Sequence, residues 1–188
     1  MSSIRPTRSL VVAAAGLAVA AVAGLAGTAT AETGTFADSV GDVRHGVDLA
    51  SVKVVNEKNV RVVVQHDDLV RSFRSNASMT VYLDTDRSEP GPEFAFIAGL
   101  FEGTDYALVP TTGAGWAPKR RGMPLSCSHT LRLDYARDVT RIRIARRCLD
   151  QPGQVRVAVK AAGQRPGGAI VTDWLEGRRA LTPWVARG

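Results

Sequence analysis

The strictest constraint on the fold is a two-residue alternation of apolar and polar side chains that starts at Val47 and returns in short bursts toward the C-terminus. Its clearest instance is Arg141-Ile142-Arg143-Ile144. Successive side chains of an extended strand point to opposite faces, so both isoleucines face a core and both arginines face solvent. A helix cannot satisfy this pattern, because its apolar positions recur every three or four residues. Residues 47–55 alternate, Asn56-Glu57-Lys58-Asn59 turns, and residues 60–65 resume the alternation, which predicts a hairpin. Residues 79–83 predict a strand that ends at Asp84-Thr85-Asp86. A second hairpin is expected from 93–100 and 105–109, a third from 130–134 and 140–145, and a strong strand over 155–160. Helical signal is limited to a turn or two at 67–75 and at 173–180. The Gly- and Pro-rich stretch 111–122 reads as a long loop, with Trp116 in a short strand at most. Short strands at regular spacing predict an all-β fold, an antiparallel, jelly-roll-like β-sandwich.

The N-terminal segment bears on compartment. Arg5 and Arg8 precede an uncharged, largely apolar run over 9–27, and Ala29-Thr30-Ala31 is an A-x-A cleavage signal. The reading is a signal peptide over 1–31, cut before Glu32, and a single secreted domain over 32–188. The competing reading is an uncleaved anchor. Alanine and glycine dominate the run and make it a weak one. No cysteine for lipidation and no paired arginine lies in this segment, which favours general secretion.

Cys127 and Cys148 are the only cysteines. In an exported chain an even pair reads as a disulfide, worth about 3 kcal/mol for a loop of this length. A redox pair would favour C-x-x-C, and a zinc site needs more ligands at closer spacing. The formal net charge of +6 falls by two once Arg5 and Arg8 leave. This mild excess permits attraction to anionic polymers without demanding it. Lysine occurs only at 53, 58, 119 and 160, so the cations are mostly arginine, as GC-rich codons would also produce.

Three stretches carry candidate chemistry. Asp38, Asp42 and Asp48 share an irregular loop containing Gly41, ahead of an alternating strand. Calcium takes six to eight oxygens, often several from one loop. Aspartate and glycine also build turns without any metal. Asp84 and Asp86 form a D-x-D at a strand end, which suits a metal or a capped hairpin loop. The two acidic stretches are expected to lie at the same end of the sandwich and to share one weakly held calcium ion. Trp116 lies in a Gly-rich loop beside Lys119, Arg120 and Arg121, the best candidates for stacking on a sugar and gripping an anion. The competing readings are aromatic packing and a solvated charged face. Arg137, Arg141, Arg143, Arg146 and Arg147 extend the possible anion-binding surface. The three histidines, His45, His66 and His129, lack ligand spacing. Ser128 and His129 are adjacent on a strand and point apart, and no G-x-S-x-G elbow occurs, which argues against a serine hydrolase. No nucleic-acid reading motif and no Gly-rich phosphate loop is present.

Asp38, Gly41 and Asp42, then Asp48, Leu49 and Val52, a hairpin, and Asp84-Thr85-Asp86 together resemble a group of small secreted actinobacterial proteins of unassigned function. More distantly the pattern is similar to the sandwich of family-nine carbohydrate-binding modules and DOMON-type domains. That resemblance implies a β-sandwich that binds sugars or haem, in some members with structural calcium. A paired-tryptophan sugar clamp and an axial Met–His pair are not legible in the sequence. The function expected is a secreted, non-catalytic binding module, calcium-supported, for a cell-envelope or extracellular polysaccharide or anionic cell-wall polymer. The alternatives are a structural or inhibitor-like envelope protein and, as a lesser one, a hydrolase using Asp42 with Asp84.

Overall fold

The computed structural model describes residues 32–43, 47–119 and 124–188. The expected leader over 1–31, His45, Arg120 and Arg121 lie outside the described residues. The chain forms β1 (Thr33–Ala37), β2 (Leu49–Asn56), β3 (Asn59–His66), β4 (Ser78–Asp84), β5 (Phe94–Gly99) and β6 (Tyr106–Pro110). It continues with β7 (His129–Asp134), β8 (Val139–Ala145), β9 (Gln154–Gln164), β10 (Ile170–Trp174) and β11 (Val185–Ala186). The three expected hairpins are β2–β3, β5–β6 and β7–β8.

These strands make two antiparallel sheets packed face to face, a β-sandwich as the alternation predicts. One sheet runs β1-β2-β3-β8-β7 and the other β10-β9-β4-β5-β6, with β11 on the same edge of β9 as β10. The chain crosses between sheets at β3–β4, β6–β7 and β8–β9, so the late strands β8 and β9 pair with the early strands β3 and β4. The inward residues of each strand interdigitate. Val52, Val54, Val62, Val64, Ile142 and Ile144 from the first sheet face Met79, Val81, Leu83, Phe96, Leu108, Val157 and Val159 from the second. Burying a valine or isoleucine stabilises by about 1.5–3 kcal/mol, so this interdigitation is the main cohesive term.

The disulfide joins Cys127 and Cys148, with Cα atoms 5.8 Å apart. It ties the residues before β7 to a 3-10 turn, Arg146–Leu149, that follows β8. Among the described residues no helix is long and apolar enough to cross a membrane.

The two helical expectations are corrected. Over 67–75 only the 3-10 turn Phe73–Ser75 forms, with Ser72 accepting from the Arg74 amide. Over 173–180 the chain finishes β10 and then turns, with Glu176, Gly177 and Arg179 at φ of 56°, 116° and 60°. The alternation Ile170-Val171-Thr172-Asp173-Trp174 outweighs helix formation because Val171 packs against the core and Asp173 is buried, while Ile170 and Thr172 are exposed. Trp116 is not in a strand. It closes a 3-10 turn, Gly113–Gly115, in the left-handed region at φ 57°.

Candidate functional sites at the ends and on one face

The acidic loop closes on itself. Asp48, 2 % exposed, accepts from the Gly41 amide at 2.7 Å and the Val43 amide at 3.3 Å. Gly41 sits at φ 89°, where a side chain would be strained, which explains a glycine at this tight return. Asp173 reaches across from the second sheet, its carboxylate accepting the Leu49 amide at 2.6 Å. Carboxylate oxygens of Asp42, Asp48 and Asp173 consequently lie within 4.8 Å of one another. Burial, joined by repulsion from Asp38 and Asp42, pushes Asp173 up to about 6. Burial and the neighbouring Asp48 raise Asp42 as well. Asp38 contributes repulsion, while one of its oxygens accepts the Glu176 amide at 3.3 Å. A groove of about 770 Å³ opens beside this cluster, lined in part by Gly41, Val43, Asp48, Asp67 and Asp68.

Asp84 and Asp86 do not join this group. Asp84 pairs with Arg156 on β9, whereas Asp173 pairs with Ala161, five residues further along the same strand. At strand rise this is about 17 Å. The physical reason is direction. Two reversals, the β2–β3 hairpin and the β3–β4 link, leave β2 and β4 running the same way, so the start of β2 lies at the opposite end from the finish of β4. Asp84 is instead bound by Arg156 at 2.7 Å, and burial raises its carboxyl despite that partner. Asp86 accepts from the Ser88 amide and hydroxyl at 2.8 and 2.7 Å, an ordinary turn cap. Asp42 and Asp84 likewise lie at opposite ends and do not converge as a catalytic pair.

The second site is a face. Tyr82, Trp116 and Trp174 cluster with ring centroids 5.0, 5.9 and 6.3 Å apart, Tyr82 and Trp174 stacked nearly parallel at 6°. Tyr82 and Trp174 come from outward positions on β4 and β10, flanking Ala158 and Lys160 on β9, and the 111–118 turn lays Trp116 over them. Each ring is half-buried. The Lys160 ammonium lies 5.8 Å from the Trp174 centroid and the Arg179 guanidinium 5.7 Å from that of Trp116. A cleft of about 480 Å³ runs between Tyr82, Trp174, Thr172, Lys160, Arg178 and Arg179. Further along the same sheet, Arg156 and Arg87 lie 4.4 and 4.9 Å from the Trp184 centroid. Lys119 is exposed beside the Trp116 turn, its amide donating to Pro110.

Sequence reasoning missed Asp173, Tyr82 and Trp174. For Asp173 the signal was a charge at an inward position of an alternating strand. For the rings, no sequence spacing announces that Tyr82 on β4 and Trp174 on β10 end up on either side of β9.

His66 is buried among strands, its Nε2 3.0 Å from the Thr140 hydroxyl. Burial lowers it to about 4, so it is neutral near pH 7.

A scan against protein-family models and a search of the curated proteins find no match to this chain.

Proposed function

We propose that the protein is a secreted, non-catalytic binding module for an acidic extracellular or cell-envelope polysaccharide, held on the outer face of the β10-β9-β4 region. The observation that carries this reading is the cluster of Tyr82, Trp116 and Trp174 bordered by Lys160, Arg178 and Arg179. Half-buried rings offer an apolar plane for the C–H face of a pyranose, and positioned cations beside them take a carboxylate or ester anion. Rings that pack on one another before binding lose little freedom on complex formation. The leader expected over 1–31 and the Cys127–Cys148 disulfide both agree with this placement outside the cell.

Calcium fits as structural support at Asp42, Asp48 and Asp173, with Asp38 nearby. The donors are hard oxygens from two sheets, and their mutual repulsion falls when a divalent cation sits among them. There it would hold the loop before β2 against β10.

The test is retention on an immobilised uronic-acid polymer and on a neutral glucan, for wild type, Trp174→Ala and Lys160→Ala. The acidic polymer should be preferred. Trp174→Ala should weaken binding about tenfold, the equivalent of one aromatic contact of about 1.4 kcal/mol. Lys160→Ala should erase most of the preference for the acidic polymer. Equal retention by all three proteins would dismiss the face as the binding surface.

A further inference from the structure

The end of the sandwich opposite the acidic cluster holds a cleft of about 620 Å³ whose charged lining is wholly cationic: Lys58, Arg143, Arg146, Arg147 and Arg187. These side chains converge from different elements: the β2–β3 turn, β8, the 3-10 turn after β8, and the chain beyond β11. Arg146 is the unusual member. It is 6 % exposed, and its guanidinium donates to the Asn56 side-chain oxygen at 2.7 Å and to the Pro152 carbonyl. Both acceptors are neutral. Among the described residues no carboxylate pairs with Arg146, and the five ion pairs that do form involve Arg61, Arg71, Arg137, Arg141 and Arg156.

Burying a charge is costly unless it is paired, and an arginine cannot escape by losing its proton at physiological pH. Burial and the nearby Arg187 both act against the charged form of Arg146. The chain nevertheless builds this arrangement with care. Asn56 is itself fully buried, and its amide donates to the Val185 carbonyl at 3.0 Å, so the residue that orients Arg146 is fixed by β11. Cys148 lies within the same 3-10 turn as Arg146 and Arg147, and the disulfide anchors that turn beside Ser128, another lining residue. A buried guanidinium held by two neutral acceptors, with four exposed cations lining the same cleft, is a receptor short of one anion.

We propose that this cleft is a binding site for a tetrahedral oxyanion, the phosphate or sulfate group of an extracellular polymer or metabolite. Cations arriving from several directions suit a group with oxygens on all sides, where a planar carboxylate would engage one fork at a time. Four exposed cations around a buried one suit a charge of two. The site is separate from the aromatic face and does not depend on it.

The test is a thermal melt of the secreted chain with inorganic phosphate, sulfate, acetate or chloride at matched ionic strength, followed by titration with a glycerol phosphodiester. Phosphate and sulfate should raise the midpoint progressively with concentration, as a ligand of the folded form does. Acetate and chloride should do so far less. The response to phosphate should vanish in Arg147→Gln/Arg187→Gln, two exposed positions whose replacement leaves Arg146 and its partners in place. Loss of the same response in Arg143→Gln would extend the site to β8. A response to the diester would place an in-chain phosphate in the cleft, and response to inorganic phosphate alone would restrict it to a terminal one. Equal shifts with all four anions would reduce the cleft to a screened basic patch and overturn the proposal. So would a phosphate response that persists in the double variant. Trp174→Ala should respond to phosphate as wild type does, which separates this site from the polysaccharide face.

Discussion

At one end of the sandwich three carboxylates crowd together; at the other, five cations line a cleft and one of them is buried. The residues of β2 run from one end to the other, from Asp48 just before the strand to Asn56 at its finish, about 26 Å at strand rise. Both ends bury like charge, yet the two chemistries differ in how that charge can be relieved. A crowded aspartate can take up a proton close to neutral pH, and Asp173 is pushed up to about 6. A guanidinium stays charged throughout the physiological range. The acidic end therefore has two exits, a proton or a cation, while the basic end has only an anion. Buried like charge is therefore a functional lead of unequal strength, more telling for arginine than for aspartate.

The largest expected effect tests whether the disulfide serves the basic end in particular. Replacing Cys127 and Cys148 by serine should lower stability by about 3 kcal/mol in the chain-entropy picture. It should also blunt the phosphate response, because the turn bearing Arg146 and Arg147 loses its anchor. Calcium response should survive. If both responses fall together, the two ends are not independent and the comparison fails.

A smaller effect is expected at the acidic end. With calcium tenfold above its dissociation constant, the folded form should gain about 1.4 kcal/mol over chelator, read as a higher midpoint. Asp42→Ala should lose most of that gain. A wild-type midpoint indifferent to millimolar calcium would leave the proton as the only exit there.

The smallest effect separates those exits by pH. In chelator, the ionised form of Asp173 is disfavoured in the fold, a penalty present above about pH 6 and removed as pH falls toward the ordinary value of 3.8. Asp173→Asn removes it at every pH while keeping an oxygen for the Leu49 amide. The variant should therefore melt above wild type at pH 7.5, with the gap closing between pH 6 and 4. His66 acts in the opposite sense in this window, since its folded value near 4 makes protonation favour the unfolded chain below pH 6.5. Comparing variant with wild type at each pH cancels that contribution. A constant gap from pH 7.5 to 4 would mean that Asp173 does not carry the titration.

Much of the architecture was legible from alternation alone, because side-chain period reflects only local geometry. The stretches 60–65, 142–144 and 155–160 all fall in strands with the expected faces inward. Cys127 and Cys148 were legible through compartment and number. The site was legible only in fragments. Asp42 and Asp48 were nominated as ligands and do come together, but their third partner, Asp173, is 125 positions beyond Asp48, on the other sheet. Asp84 and Asp86 carried the same chemistry on paper, and the direction of β4 sends them to the far end. Trp116 was nominated, while Tyr82 and Trp174, which complete its cluster, were not.

Sequence alone determined most of the extended stretches, though not β1 or β10, with the side of each that faces the core and the two sulfurs that bond. These follow from interactions along a few neighbouring residues and from the pairing number of cysteines. Tertiary structure alone decided strand order and direction, and with them which charges and rings share a surface. Insertion of β8 beside β3 and of β9 between β4 and β10 brings Arg146 to Asn56 and Tyr82 to Trp174 across β9. That pairing depends on how the crossovers bury both sheets at once, a condition on the whole chain that no local pattern of residues encodes.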